Sequence, residues 1–403
     1  MIKHILETTE KIMEGSLPYQ TFAKELEANE DYDQNEKNVV RNLVNGMLNR
    51  YYRYFYSLTE NKETDLTTKE VLAISLFSFN VEKNITKLSY EELLSALPAD
   101  SQLKIEERYP EKDFPIRIPQ NFHTENLALS FATRFSAPLY LVEQLIADIG
   151  KKNILKFLST RPQESCGLIN TNKVSSPDFF SKHKDFSPLE KEGQFTYTGK
   201  EFIKKTKAYT DNEIVLTTQS MLDIAALVDG SKPKSLLFVQ YEDTSLILLL
   251  ALLYPEVTIH YTADEQKSKF ILQHLIRKFN LSNVTYVTAI AQTYDLVITT
   301  LSSTNINGNI RHRDFYFRLP LDLNEVTLKA REELNSVKDY VNEGQNLVFV
   351  TNTALRSETH YQALTFIRDN PEFKLEKEKQ YFHFIPFHET VYFALFKKGA
   401  NEE

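Results

Sequence analysis

The chain has 403 residues, 42% of them hydrophobic and 25% charged, with a net charge of −8. That length accommodates two or three domains, each with its own core, and the acidic N-terminal third does not suit a nucleic-acid clamp as a whole face. Residues 1–122 hold 15 Lys and Arg against 21 Asp and Glu, so most of the acidity lies in the N-terminal third and suits a protein partner there. No apolar run reaches the roughly 20 residues needed to cross a bilayer. A single cysteine, Cys166, excludes an internal disulfide framework and any multi-cysteine metal site. With no signal-peptide pattern after Met1, the expectation is a cytoplasmic protein with no metal and no membrane association.

Residues 1–97 read as all-helical. Ile5, Ile12 and Met13 share one helical face, and Pro18 breaks that helix. Val39, Val40, Leu43, Val44, Met47 and Leu48 follow the i, i+3, i+4, i+7 spacing of a core-facing helix. It runs on into Arg50, Tyr51, Tyr52, Arg53, Tyr54, Phe55 and Tyr56, read as packed aromatics ahead of a base-stacking surface. Pro98, Pro110, Pro115 and Pro119 mark a linker. Helices are expected over 139–149, stopped by Gly150, and over 153–158. An edge strand at 166–172 and short apolar runs near 179, 195 and 214 give a small α+β unit. Cys166 has no base beside it and reads as structural.

From residue 235 the pattern changes. Strand-like runs at 235–241, 257–262, 284–288 and 294–300 alternate with helical segments, which predicts βαβ units and a parallel sheet. A long helix over 324–343 stopped by Gly344, a strand over 347–353, a helix from Ser357 and Glu358 to Arg368, and a hairpin over 381–396 complete the chain. Ligands bind such sheets at the carboxyl ends of the strands. The turns there contain Tyr241, Glu242 and Asp243, then Thr262 and Asp264, then Thr299 to Thr304.

This order of segments resembles the RsmB-like branch of the Nol/Nop/Sun family of RNA (cytosine-5) methyltransferases over nearly the whole chain. The resemblance rests on residues 69–77 with Glu91 and Glu92, on Ser136, Ala137 and Pro138 with Leu141, and on 170–172. It also rests on 216–219, 308–311, 341–351 and the closing run 392–397. It implies a multidomain protein: a NusB-like all-α bundle with its linker (1–122), linker helices with a small RRM-like α+β subdomain (123–225), and a class I methyltransferase-type Rossmann-like α/β core (226–403). It also implies RNA, ribosomal RNA or a ribosomal particle above all, as partner. Lys204, Lys205 and Lys207 fall in the subdomain that contacts RNA in related enzymes, and Arg311 and Arg313 follow the motif past which substrate RNA runs.

The chemistry-bearing positions depart from the family. Its glycine-rich cofactor turn corresponds to 239–245, and no glycine occurs between Gly230 and Gly308. The ribose-binding acid corresponds to Thr262, with Asp264 two residues on; Tyr241, Asp243, Thr262 and Asp264 mark a vestigial pocket. The catalytic acid corresponds to Thr299, and the two cysteine positions to Ser302 and Asn352. Attack at cytosine C6 needs a soft thiolate, which an asparagine amide does not supply. Three readings follow. The first is a catalytically inactive methyltransferase-like protein that keeps RNA or ribosome-related binding and needs no cofactor. The second is an active S-adenosylmethionine-dependent enzyme with a site rebuilt around Asp243, Asp264 and Asp295. The third is a protein-interaction scaffold without RNA.

Overall fold

Alternating apolar residues on both faces make the runs between residues 235 and 351 fold as strands covered on each side. The protein is described from a computed structural model, which covers residues 1–59, 65–109, 125–160, 166–242, 245–263, 266–308 and 314–399; for 59, 266–268 and 314–322 the backbone alone is described. The chain divides into two compact units, one of residues 1–159 with 314–322 and the other of residues 160–308 with 323–399.

The first unit is helical. Helices α1 (Ile2–Met13), α2 (Tyr19–Ala28), α3 (Gln34–Thr59), α4 (Thr68–Lys83), α5 (Tyr90–Ser95) and α6 (Ala99–Arg108) are followed by α7 (Leu127–Phe135), α8 (Leu139–Ile149) and α9 (Lys151–Ser159). Helix α4 is buried along its length from Glu70 to Ser78, as a helix apolar on all sides must be. Its start is fixed by a capping box between Thr67 and Glu70, and α5 repeats the device with Ser89 and Glu92. The aromatic stretch of α3 is packing. Tyr51 and Tyr54 are buried, Arg50 pairs with Glu82 and lies 4.6 Å over the Phe79 ring, and Tyr56 Oη accepts the Leu139 amide at 2.6 Å. Pro98 does not open a linker. It precedes the first turn of α6, where a missing N–H is harmless. Pro110, Pro115 and Pro119 lie outside the described residues.

The second unit opens with a small antiparallel sheet of β1 (Cys166–Ile169), β2 (Phe186–Pro188), β3 (Gln194–Tyr197) and β4 (Ile214–Thr217), in the order β2-β3-β1-β4. It carries α10 (Ser176–Lys182) and α11 (Lys207–Thr210). The strand at Cys166, expected at an edge, is an inner strand paired on both sides, because its four residues are all buried. Gly167 makes this possible: a Cβ there would meet the Val215 carbonyl oxygen at 2.2 Å and the Phe195 ring at 2.7 Å. Gly167→Ala is therefore expected to destabilise this unit by roughly 2–3 kcal/mol, read as a lower urea midpoint with the helical unit unmoved.

After α12 (Gln219–Ala225) and α13 (Leu227–Ser231) comes the main sheet. Its elements are β5 (Ser235–Gln240), α14 (Leu246–Leu253), β6 (Thr258–Ala263), α15 (Gln266–Phe279), β7 (Val284–Tyr286) and β8 (Tyr294–Thr300). Helix α16 (Asp314–Val337), β9 (Val341–Thr351), α17 (His360–Asp369), β10 (Phe373–Tyr381) and β11 (Val391–Lys398) follow. The order is β10-β11-β9-β8-β5-β6-β7; β5 to β9 run parallel and β11 is antiparallel to both neighbours. Leu236 and Phe238 face α12, α14 and α15, while Leu237 and Val239 face Ala330, Leu334 and Val337 of α16 and Ala363 and Phe366 of α17. The chain leaves β5 in one direction and returns through β8 in the other, so the topological switch lies between these two strands.

Three elements differ from the sequence expectation. The long helix ends at Val337, not beside Gly344; Gly344 lies inside β9 at φ +72°, where the β8–β9 register slips. The final hairpin is longer, with β10 starting at Phe373 and His388 and Glu389 in its loop. Its polar alternation in β10 hid the strand. Glu358 precedes α17 rather than lying in it. Among the described residues, no helix is long and apolar enough to cross a membrane.

Candidate functional site

The carboxyl ends of β5, β8 and β9 meet at the switch point, and polar side chains concentrate there. Thr300, the last residue of β8, ties the β5 turn across the crevice. Its hydroxyl donates to the Glu242 carbonyl (3.0 Å) and receives the Glu242 amide (3.2 Å), while its own carbonyl accepts the Tyr241 amide (3.1 Å). The next three hydroxyl residues each engage a different glutamate. Ser302 donates its amide and hydroxyl to the Glu333 carboxylate of α16 (2.7 and 2.5 Å). Ser303 donates its hydroxyl to the Glu242 carboxyl (3.1 Å to either oxygen). Thr304 donates its amide and hydroxyl to Glu358 (2.7 and 2.6 Å), which also accepts the Thr353 hydroxyl at 2.8 Å. The loop after β8 is thereby clasped by three carboxyl groups drawn from three other parts of the chain.

These acids are placed by packing. Glu333 lies on the apolar stripe of α16 between Ala330 and Leu334 and is 5% exposed; Glu358 is 1% exposed. Burial raises the pKa of Glu358. Burial pushes Glu242 up to about 8, and the negative charges of Glu358 and Glu333 push the same way against the hydrogen bonds from Asn305 and Ser303. This environment favours the protonated form of Glu242.

The sequence-predicted residues distribute as follows. Ser302 acquires in space the carboxylate that it lacks in sequence, but among the described residues no histidine joins the pair, and Glu333 also holds the Ser302 amide. Thr299 is fully buried, and among the described residues neither its hydroxyl nor that of Thr351 has a hydrogen-bond partner. Asn352 follows β9 directly, and its side-chain oxygen is buried without a hydrogen-bond partner among the described residues. The Tyr241 hydroxyl contacts the Ser336 hydroxyl at 2.9 Å, and Thr262 is half-buried near the end of β6. Asp243, Asp264, Arg311 and Arg313 lie outside the described residues. Asp295 is removed from the crevice: at the opposite end of β8 it accepts the Lys234 and Ser235 amides (2.9 and 3.1 Å), and these bonds hold its pKa low. Lys204, Lys205 and Lys207 are exposed on the small sheet's turn and α11. Cys166 is buried, its thiol pushed up to about 11 by burial, which fits a structural role.

Glu333 and Glu358 were missed from the sequence, and Glu242 stood out only as an intruding charge. The available signals were an acid inside an apolar helical stripe and a run of three hydroxyl residues at a strand end, both of which require partners. No group of three or more His, Cys, Asp or Glu side chains suited to a metal occurs among the described residues.

No protein-family model matches the chain, and no curated protein matches it in sequence. Its fold is similar to that of several solved structures. PH0851 superposes with a TM-score of 0.62 at 16% identity, covering 99% of both chains. NSun6 from Pyrococcus horikoshii, solved with SFG, gives 0.54 at 12% identity over 64% of this chain and 97% of that one. A methyltransferase homolog protein from Pyrococcus horikoshii gives 0.53 at 14% identity over 68% of this chain and all of that one. The main sheet with its helices thus shares the Rossmann-type fold of these structures.

Proposed function

We propose that this chain is a methyltransferase-like protein that has lost methyl transfer and retains RNA binding, with ribosomal RNA or a ribosomal particle as partner. The observation that carries this reading is the three-glutamate clasp on Ser302, Ser303 and Thr304. In the resembled enzymes this loop supplies an acid and a cysteine; here its hydroxyls are turned to internal carboxyl groups. Asn352 and Ser302 replace the thiols, and neither an amide nor a hydroxyl gives the soft nucleophile that adds to cytosine C6.

The residues present do not fit S-adenosylmethionine. Glycine is replaced by Glu242 in the turn after β5, and the Tyr241 and Glu242 amides are already bonded to Thr300. Thr262 offers no carboxylate to a ribose. The α1–α6 helices are in keeping with a NusB-like RNA-binding domain, and the exposed Lys204, Lys205 and Lys207, with Arg311 and Arg313, supply cations for phosphates.

The likeness to NSun6, which was solved with SFG, favours the second reading, an active enzyme with a rebuilt cofactor site. That site would have to rest on Asp243 and Asp264, because Asp295 is held at the other end of β8. Calorimetric titration with S-adenosylmethionine and S-adenosylhomocysteine separates the two. No heat of binding up to about millimolar ligand is expected; micromolar affinity would overturn the inactive reading and establish the rebuilt one.

A further inference from the structure

A cavity lies between the small sheet and the main core of the same unit, with Ser245 of the turn after β5 and Asn307 of the loop after β8 on its lining. Its volume is about 390 Å³, within the roughly 300–1,000 Å³ of small-molecule sites. The β4 strand forms one side, and Leu248 of α14 and Leu275 of α15 give apolar walls. Tyr209 and Phe279 contribute rings, and Thr218, Asn307 and Glu389 add polar atoms. Ser302, Asn352 and Thr299 take no part in its lining.

The cations of this cavity point to what fills it. Lys278 Nζ stands 5.8 Å from the Tyr209 ring centroid and 5.5 Å from that of Phe279. No carboxylate forms an ion pair with Lys278 among the described residues, and it is half-exposed at the rim. Lys204 stands at the same cavity, with Lys205 exposed beside it. Phe202, two residues before Lys204, exposes 60% of its surface. An ammonium group at the mouth suits a phosphate, and a ring with aliphatic walls suits the faces of a base. The Glu389 carboxylate, which accepts the Thr218 hydroxyl at 2.7 Å, and the Asn307 amide stand on the lining where base edges and ribose hydroxyls would reach.

The geometry points to a binding site for one ribonucleotide, its base against Tyr209, Leu248 and Leu275 and its phosphate on Lys278. Resting on the RNA-binding reading, it takes one unstacked nucleotide of a single strand whose neighbours run over Lys204, Lys205 and Phe202. A free nucleotide carries the same chemistry, and the test separates the two sources.

Wild type, Lys278→Glu and Lys278→Gln are titrated calorimetrically with AMP. The same proteins are titrated by anisotropy with a fluorescein-labelled oligoadenylate of about 12 nucleotides at roughly 50 mM salt, with AMP as competitor. Thermal melts check that the variants fold; Lys278→Gln keeps the size with less disturbance of the helix end. Sub-millimolar AMP binding is expected, weakened at least about tenfold in both variants, with AMP displacing the oligonucleotide. AMP binding without oligonucleotide binding would support the cavity as a free-nucleotide site and sink the RNA reading. Oligonucleotide binding that neither AMP nor the variants disturb would overturn the cavity proposal and leave the RNA reading standing. Failure of wild type to bind AMP also overturns the proposal.

Discussion

Replacing Glu358 with alanine is expected to lower the stability of the second unit by about 3 kcal/mol. The carboxylate is 1% exposed and accepts three hydrogen bonds, from the Thr304 amide, the Thr304 hydroxyl and the Thr353 hydroxyl. Hydrogen bonds to a charged acceptor contribute roughly 1.5–3 kcal/mol each, and stranded buried donors cost about 1–3 kcal/mol. Against this stands the desolvation of the carboxyl group itself, visible as its raised pKa, which the variant relieves. The net loss is therefore well below the sum of three bonds. Glu358→Gln keeps the shape but one carbonyl acceptor in place of two oxygens, and about half the loss follows. Arg368→Ala serves as the control: its partner Asp369 is on the surface and the arginine side chain is 70% exposed, so a change within about 0.5 kcal/mol is expected. Urea unfolding followed by circular dichroism gives the comparison. A Glu358→Ala midpoint no lower than that of the control would mean that the loop after β8 does not depend on this carboxylate.

Glu242→Gln is expected to stabilise the protein increasingly as pH rises. With a folded pKa of about 8 against an ordinary 4.5, the folded state keeps a proton that the unfolded state releases across this window. Stability from this group is fully present below the ordinary value and is lost as pH climbs toward 8, with a slope of at most ~1.4 kcal/mol per pH unit. Glutamine mimics the protonated acid and removes the slope. Between about pH 5.5 and pH 7.5 the wild type should lose about 2 kcal/mol relative to the variant. Glu358 shifts in the same direction and its charge acts on Glu242, so the difference reads the Glu242 proton together with that coupling. Parallel stability curves would mean that the Glu242 carboxyl is solvated and ionised at neutral pH.

Much of the fold was legible because burial on both faces writes long apolar runs. The parallel strands around Leu237 and Val297, and the α14 helix, whose residues Leu246 to Leu252 are all buried, follow from that pattern directly. β10 did not, because Lys374, Glu376 and Lys377 face solvent and its apolar residues are few. Gly344 carried two meanings, helix stop or bulge, and only the register of β8 against β9 distinguishes them. The departures from the resembled family are features of the sequence, since a missing glycine or cysteine is visible position by position. The clasp was not legible: Ser302 and Glu333 are 31 residues apart, Thr304 and Glu358 54. Partners so distant in sequence are set by tertiary packing, which no local pattern encodes.

The position of β11 has a consequence for how the chain is made. This late strand does not close an edge; it sits between β9 and β10 and pairs with both along most of its length. A polypeptide emerging from the ribosome has therefore completed β5 to β10 while β9 and β10 each still expose an open row of backbone donors and acceptors. Such edges recruit strands from neighbouring chains. Until synthesis has passed Lys398, the nascent core is an aggregation hazard, and its final insertion is a non-local pairing event of the slow kind. Expression yield and chaperone dependence should thus be more sensitive to substitutions in β11 than its modest share of the sequence would suggest.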